Sequence, residues 1–156
     1  MVHLVPMDET DFQTWRARTA PAYAQDNVDA GYWSEEDAPE QAEKEITSLL
    51  PNGLSTEGHH FLSIRDDEDT RVGTLWVSIS TKQAHPPAFI YDFEIFEPFR
   101  RRGYGMQALL ALEEWGRGMG IDTLLLHVFA HNTTARSLYE RAGYGVSSVN
   151  MRKDLS

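Results

Sequence analysis

The chain has 156 residues, 41% of them hydrophobic and 24% charged, the size and composition of one globular domain with an adequate core; a disordered, collagen-like or disulfide-stapled chain is excluded. It carries 14 Lys+Arg against 24 Asp+Glu, a net charge of −10, which argues against nucleic acid or an anionic membrane as a partner. Cysteine is absent, so there is no disulfide, thiolate metal site or cysteine nucleophile.

No stretch resembles a secretory signal, and the strongest apolar runs fall far short of the ~20 residues of a membrane span; a cytoplasmic protein is expected. Residues 1–70 hold 16 of the 24 acidic residues and 4 of the 14 basic ones. The first part of the chain therefore suits a cationic partner, and the second tolerates an anion.

In chain order, residues 2–5 read as a short strand and residues 8–24 as a helix, with Phe12, Trp15 and Thr19 spaced for one face. Residues 35–50 form a second helix with Pro39 in or before its first turn. Strands follow at 61–65 and 72–80, joined by a hairpin loop at Asp66-Asp67-Glu68-Asp69. A further strand covers 88–96, then a helix over about 103–116 and a strand over 123–130. A short helix over 133–142 stops at Gly143, and 144–153 closes as a last strand. The strand–helix–strand unit at 88–130 requires a right-handed crossover and a locally parallel pair. The whole is a mixed sheet with helices on its faces, in a single domain over residues 1–156.

The most informative stretch is Arg100-Arg101-Arg102-Gly103-Tyr104-Gly105, between a strand and a helix. Two glycines let backbone approach a ligand, and the helix start offers unpaired N–H groups and a positive dipole end. Three arginines add forked donors for phosphate. No P-loop is present. Gly103, Gly105 and Ala108 satisfy a dinucleotide spacing, but the acidic residue that should end the next strand instead precedes it, as Asp122.

Arg100-x-x-Gly103-x-Gly105 after a strand, followed by Asn132-x-x-Ala135-x-x-Leu138-Tyr139-Glu140-x-x-Gly143-Tyr144, resembles the paired motifs of the GNAT superfamily of acyl-CoA-dependent N-acyltransferases. The likeness covers residues 88–145. It implies the GNAT fold of the α/β (α+β) class, a mixed, mostly antiparallel sheet of six to seven strands flanked by about four helices. It also implies acetyl-CoA as acyl donor, with the pyrophosphate on the N–H groups of Arg101, Arg102, Gly103, Tyr104, Gly105 and Met106, beside Arg100. The pantetheine arm would pair with strand backbone near Phe93 to Phe96, Ile95 and Phe96 above all, and Asn132 would bond the arm. Family members are often dimers, which makes a homodimer one expectation.

Transfer to an amine needs a base, an oxyanion donor and a group serving the leaving sulfur. The resemblance gives the last role to Tyr139; from its helical spacing alone the same residue reads as core. Glu94 is the candidate base, with Asp92 on the same strand face ranked below it, and the resemblance implies a backbone N–H near Ile95 as the oxyanion donor. No metal site is read from the histidines. The expected activity is acetyl transfer to a primary amine of a small molecule or peptide, with a cationic acceptor favoured by the acidic first half. The alternatives are a noncatalytic acyl-CoA-binding regulatory module, or a transferase using another acyl donor or acceptor.

Overall fold

The computed structural model describes residues 1–80 and 82–156. The elements are β1 (His3–Pro6), α1 (Glu9–Asp29), α2 (Ala38–Leu49), β2 (His59–Arg65), β3 (Arg71–Ile79), β4 (Ala88–Ile95), α3 (Tyr104–Gly118), β5 (Leu124–Leu126) and α4 (Thr133–Arg141). Five strands pair in sequence order, antiparallel except for β4 beside β5. None of the described helices is long and apolar enough to cross a membrane.

Each face of the sheet buries its own core. On one face Leu62, Ile64, Val72, Leu75 and Ile90 pack with Ala108 and Leu112 of α3. On the other, Phe61 and Trp76 pack with Phe12 and Trp15 of α1 and with Ala42 and Ile46 of α2. This follows from period-2 alternation in the strands and period-3.6 spacing in the helices. At the start of α1, Asp8 accepts a hydrogen bond from the Asp11 N–H at 2.7 Å, an N-cap that fixes where the helix begins. The hairpin loop forms as expected, with Asp66 Oδ1 accepting from the Glu68 and Thr70 N–H groups.

Three expectations are corrected. The first helix runs on through Pro21 to Asp29. Proline removes one helical hydrogen bond, yet Trp15, Ala20 and Ala24 on either side are buried against α2 and the sheet, and that packing outweighs the lost bond. The strand expected over 123–130 is paired only at Leu124–Leu126, because β5 meets β4 at Ala88–Ile90 and nowhere beyond. The strand expected over 144–153 does not form; residues 144–156 have no regular secondary structure, so the sheet has five strands and not six or seven. Val146, Val149 and Met151 of that segment stay exposed, having found no strand edge to pair with.

Candidate active site

A bulge in β4 builds the site. Ile90 faces Val77 and Asp92 faces Trp76, so Tyr91 is an extra residue without a partner on β3. The bulge reverses the alternation of everything after it. Before it, Ala88 and Ile90 point into the α3 core. After it, Phe93 and Ile95 take that face, while Asp92 and Glu94 turn to α1, where Trp15 and Arg18 meet them. An unbroken strand would have put both carboxylates into the apolar α3 core.

The backbone is re-aimed by the same step. The Ala88 N–H donates to Thr123 O at 2.9 Å, towards β5, whereas the Phe96 N–H donates to Val72 O at 2.8 Å, towards β3. In an antiparallel ladder such donors alternate, so Asp92 and Glu94 bond to β3, and the backbone groups of Phe93 and Ile95 face the opposite side. There β5 has already ended its pairing. A cleft thus opens between the two parallel strands, with strand backbone on its β4 wall. Arg100 Nε donates to Ile95 O at 2.7 Å and closes its lower end.

Beneath the cleft lies the glycine turn. Arg101 (φ 65°) and Gly103 (φ 82°) adopt left-handed backbone, and Gly103 is the N-cap of α3. These two conformations curl the chain so that the N–H groups of Arg101 to Met106 have no acceptor among the described residues. Six adjacent free donors at a helix N terminus form an anion cradle. Gly105 has a separate reason to be glycine: a Cβ there would stand 2.9 Å from Leu138 Cδ2 of α4. Arg102 lies over the Phe99 ring, 5.8 Å from its centroid.

The two carboxylates differ in environment. Glu94 is bonded to Arg18 Nη1 at 2.9 Å near the surface. Asp92 accepts one hydrogen bond, from Trp15 Nε1 at 3.0 Å. Burial lifts its pKa to about 6; Glu94 and Asp26 push the same way, and the Trp15 bond and Arg18 oppose. Across the cleft stands Tyr139 of α4, its ring 6.3 Å from Phe93. Burial, and then the charge of Asp92, push its phenol up to about 12. A carboxylate able to accept a proton near neutral pH thus sits close to a phenol that stays protonated there.

The profile of the Acetyltransferase (GNAT) family matches residues 13–144. The chain belongs to the GNAT acetyltransferase family. It is 44% identical over 154 residues to the N-acetyltransferase YycN of Bacillus subtilis (strain 168), itself uncharacterized, with 99% of each chain covered. The crystal structure of YycN superposes with a TM-score of 0.96, covering 100% of this chain and 99% of that one. YdgE of the same organism, a second uncharacterized N-acetyltransferase, is 38% identical over 152 residues, 97% of each chain. The fold is shared with AAC(6')-Iy, solved in complex with a bisubstrate analog, CoA-S-monomethyl-acetylneamine, at 15% identity and a TM-score of 0.62, covering 100% of this chain and 99% of that one.

In this acetyltransferase the residues expected from sequence largely converge. Ile95 lines the cleft, residues 100–106 lie below it, and Tyr139 stands opposite. The Phe96 N–H is spent on Val72, and its ring is flanked by Arg18 and Arg71 at 5.1 and 5.5 Å. Asn132 is the N-cap of α4, its Oδ1 accepting from the Ala135 N–H at 3.3 Å, which leaves its amide NH₂ for a ligand. Sequence reasoning missed Trp15, Arg18 and Asp26, which lie far from the motifs in the chain. The pairing of Arg18 with Glu94 leads to a first prediction: Glu94→Gln lowers turnover by no more than about threefold and leaves stability within ~0.5 kcal/mol, as for other exposed ion pairs. Steady-state rates and thermal melts check it.

Proposed function

We propose that the protein transfers the acetyl group of acetyl-CoA directly to a primary amine, with Asp92 as base and Tyr139 at the leaving sulfur. The observation that carries this reading is the open β4 wall between an anion cradle and the Asp92–Tyr139 pair. The six free N–H groups suit a pyrophosphate, and the unpaired backbone of Phe93 and the N–H of Ile95 suit an amide-bearing arm added like a strand. A donor anchored in this way brings its thioester to the bulge.

Asp92 takes a proton from the bound ammonium, directly or through water. The freed amine attacks the thioester carbonyl carbon, and a backbone N–H of the β4 wall, from Phe93 or Ile95, steadies the oxyanion. Collapse breaks the C–S bond. The Tyr139 hydroxyl donates a hydrogen bond to the departing thiolate. A phenol near 12 does not yield its proton outright to a thiolate of intrinsic pKa ~8.5, since that step is uphill by ~5 kcal/mol. The thiolate's proton therefore comes from the amide nitrogen, which loses its second proton as the intermediate collapses, with Tyr139 bridging the two.

The acceptor side is acidic. Asp26 is close enough to add to the field at Asp92, and the Tyr23 hydroxyl bonds Glu45 at 2.7 Å. Such a wall favours a cationic amine, small molecule or peptide. The deciding experiment is a thiol-release assay with acetyl-CoA against diamines, amino sugars and lysine peptides, each paired with its neutral alcohol analogue. Release with amines only supports the reading; release with alcohols alone, or with none of the panel, contradicts it. Gly103→Val, which forces a β-branched residue to φ 82° and crowds the free N–H groups, weakens acetyl-CoA binding at least about 30-fold by calorimetry.

A further inference from the structure

The last turn of α1 carries two carboxylates on one face, Asp26 and Asp29. It holds no basic residue, although the negative end of a helix dipole favours a cation. Arg152 donates to the carbonyls of Ala30 and Gly31 at 3.1 and 2.6 Å, which satisfies the backbone at the helix end. Among the described residues, no lysine or arginine pairs with either aspartate.

The group that does approach them is an imidazole. His131 comes about a hundred residues later in the chain, between β5 and α4, and its Nε2 stands 3.8 Å from Asp26 Oδ1. One nitrogen of His131 and one oxygen of each aspartate all lie within 4.8 Å of one another. Residues outside the trio orient it. The His131 ring stacks on Phe129, with centroids 5.6 Å apart and planes 20° from parallel. Phe129 packs in turn against Tyr32, just past the end of α1. Gln25 Nε2 donates to Asp29 Oδ1 at 2.8 Å. An imidazole from one segment and two carboxylates from another thus converge on one point.

We propose that Asp26, Asp29 and His131 bind one divalent transition-metal ion of the zinc type, and that the ion clamps the end of α1 to the segment joining β5 to α4. The donor set decides the class of ion. Two carboxylate oxygens and one imidazole nitrogen suit zinc and its first-row neighbours, whereas calcium and magnesium seek shells made of oxygen. The geometry needs only a small closure. Ligand atoms stand about 2.0–2.2 Å from a zinc ion, and therefore about 3–3.5 Å from one another. Side chains as exposed as these reach that spacing by turning about their own torsions. Three protein ligands leave a further position to water. The ion has no part in the acetyl transfer proposed above, and the test does not depend on activity.

Calorimetric titration of the untagged, chelator-treated protein with zinc chloride, in a non-coordinating buffer, is expected to show one ion per chain at micromolar affinity. His131→Ala and Asp29→Asn should each weaken binding at least tenfold. Both residues are exposed, so the fold should not depend on them. His3→Ala, which removes a histidine beside Asp69, should change the affinity less than twofold. Magnesium chloride should bind at least tenfold more weakly than zinc chloride. Saturating zinc should slow hydrogen exchange of the amides in residues 127–132 at least threefold in the wild type and not in His131→Ala. A flat zinc titration overturns the proposal. So does zinc binding that survives both His131→Ala and Asp29→Asn or is lost in His3→Ala, magnesium binding as tight as that of zinc, or exchange at residues 127–132 that zinc leaves unchanged.

Discussion

Asp92→Asn is expected to lower turnover by about 10²- to 10⁴-fold, the range for loss of a general base, while making the protein more stable. Both effects have one cause. The carboxylate is held in a site that disfavours its charge, which is why its pKa stands at about 6 and not at 3.8. A folded-state value above the unfolded one means that ionisation weakens the fold. Stability falls as pH rises from about 4 to 6, and the penalty is complete above 6, reaching up to ~3 kcal/mol. Asparagine cannot ionise and still accepts the Trp15 Nε1–H bond. The variant should therefore melt several degrees higher than wild type at pH 8, with the gap closing towards pH 4. The wild-type rate should fall on the acid side with a midpoint near 6. Thermal melts at the two pH values and a pH–rate profile check all three statements. An Asp92→Asn variant as active as wild type would move the base elsewhere on the cleft.

Tyr139→Phe is the second large effect. The hydroxyl is expected to act on a sulfur that becomes charged only as the C–S bond breaks, so its loss should appear in kcat and hardly in donor binding. A hydrogen bond to a charged group contributes ~1.5–3 kcal/mol, which predicts a fall in kcat of about 10- to 150-fold. The acetyl-CoA dissociation constant should change less than about threefold. Phenylalanine keeps the packing of the ring against Phe93 and Tyr144, so stability should hold. Rapid-quench rates together with calorimetric binding separate the two quantities. Loss of binding with kcat unchanged would place Tyr139 in the donor site as a structural residue.

The chain carried its fold plainly where local signals and packing agreed. The strands at 59–65 and 71–79, their acidic hairpin, and the glycine turn leading into α3 were all legible, because alternation, turn chemistry and helix-start residues are read within a few positions. The bulge at Tyr91 was not. Nothing in AFIYDFEI marks an extra residue, and period-2 reading carries Asp92 and Glu94 along with Ile90 onto one face. Their true surroundings, Trp15 and Arg18, lie more than seventy residues earlier, so the ranking of Glu94 above Asp92 rested on position along the strand and not on environment. The tail misled for a related reason. Its apolar residues Val146, Val149 and Met151 suit a strand, but a strand needs an edge to pair with, and β5 pairs only with β4. The second motif put Tyr139 forward, and its ring does pack beside Phe93 of β4, although its helical spacing alone fits a core residue equally well.

The turn at residues 100–106 and the β4 wall are proposed to hold an acetyl-CoA molecule for transfer. Calorimetric titration of the purified protein with acetyl-CoA tests it most directly, with Gly103→Val in parallel and NADH as the comparison dinucleotide. One site per chain in the micromolar range is expected, lost or strongly weakened in Gly103→Val, with no binding of NADH. A flat acetyl-CoA titration of a folded protein, or equal affinity in the Gly103→Val variant, would contradict it.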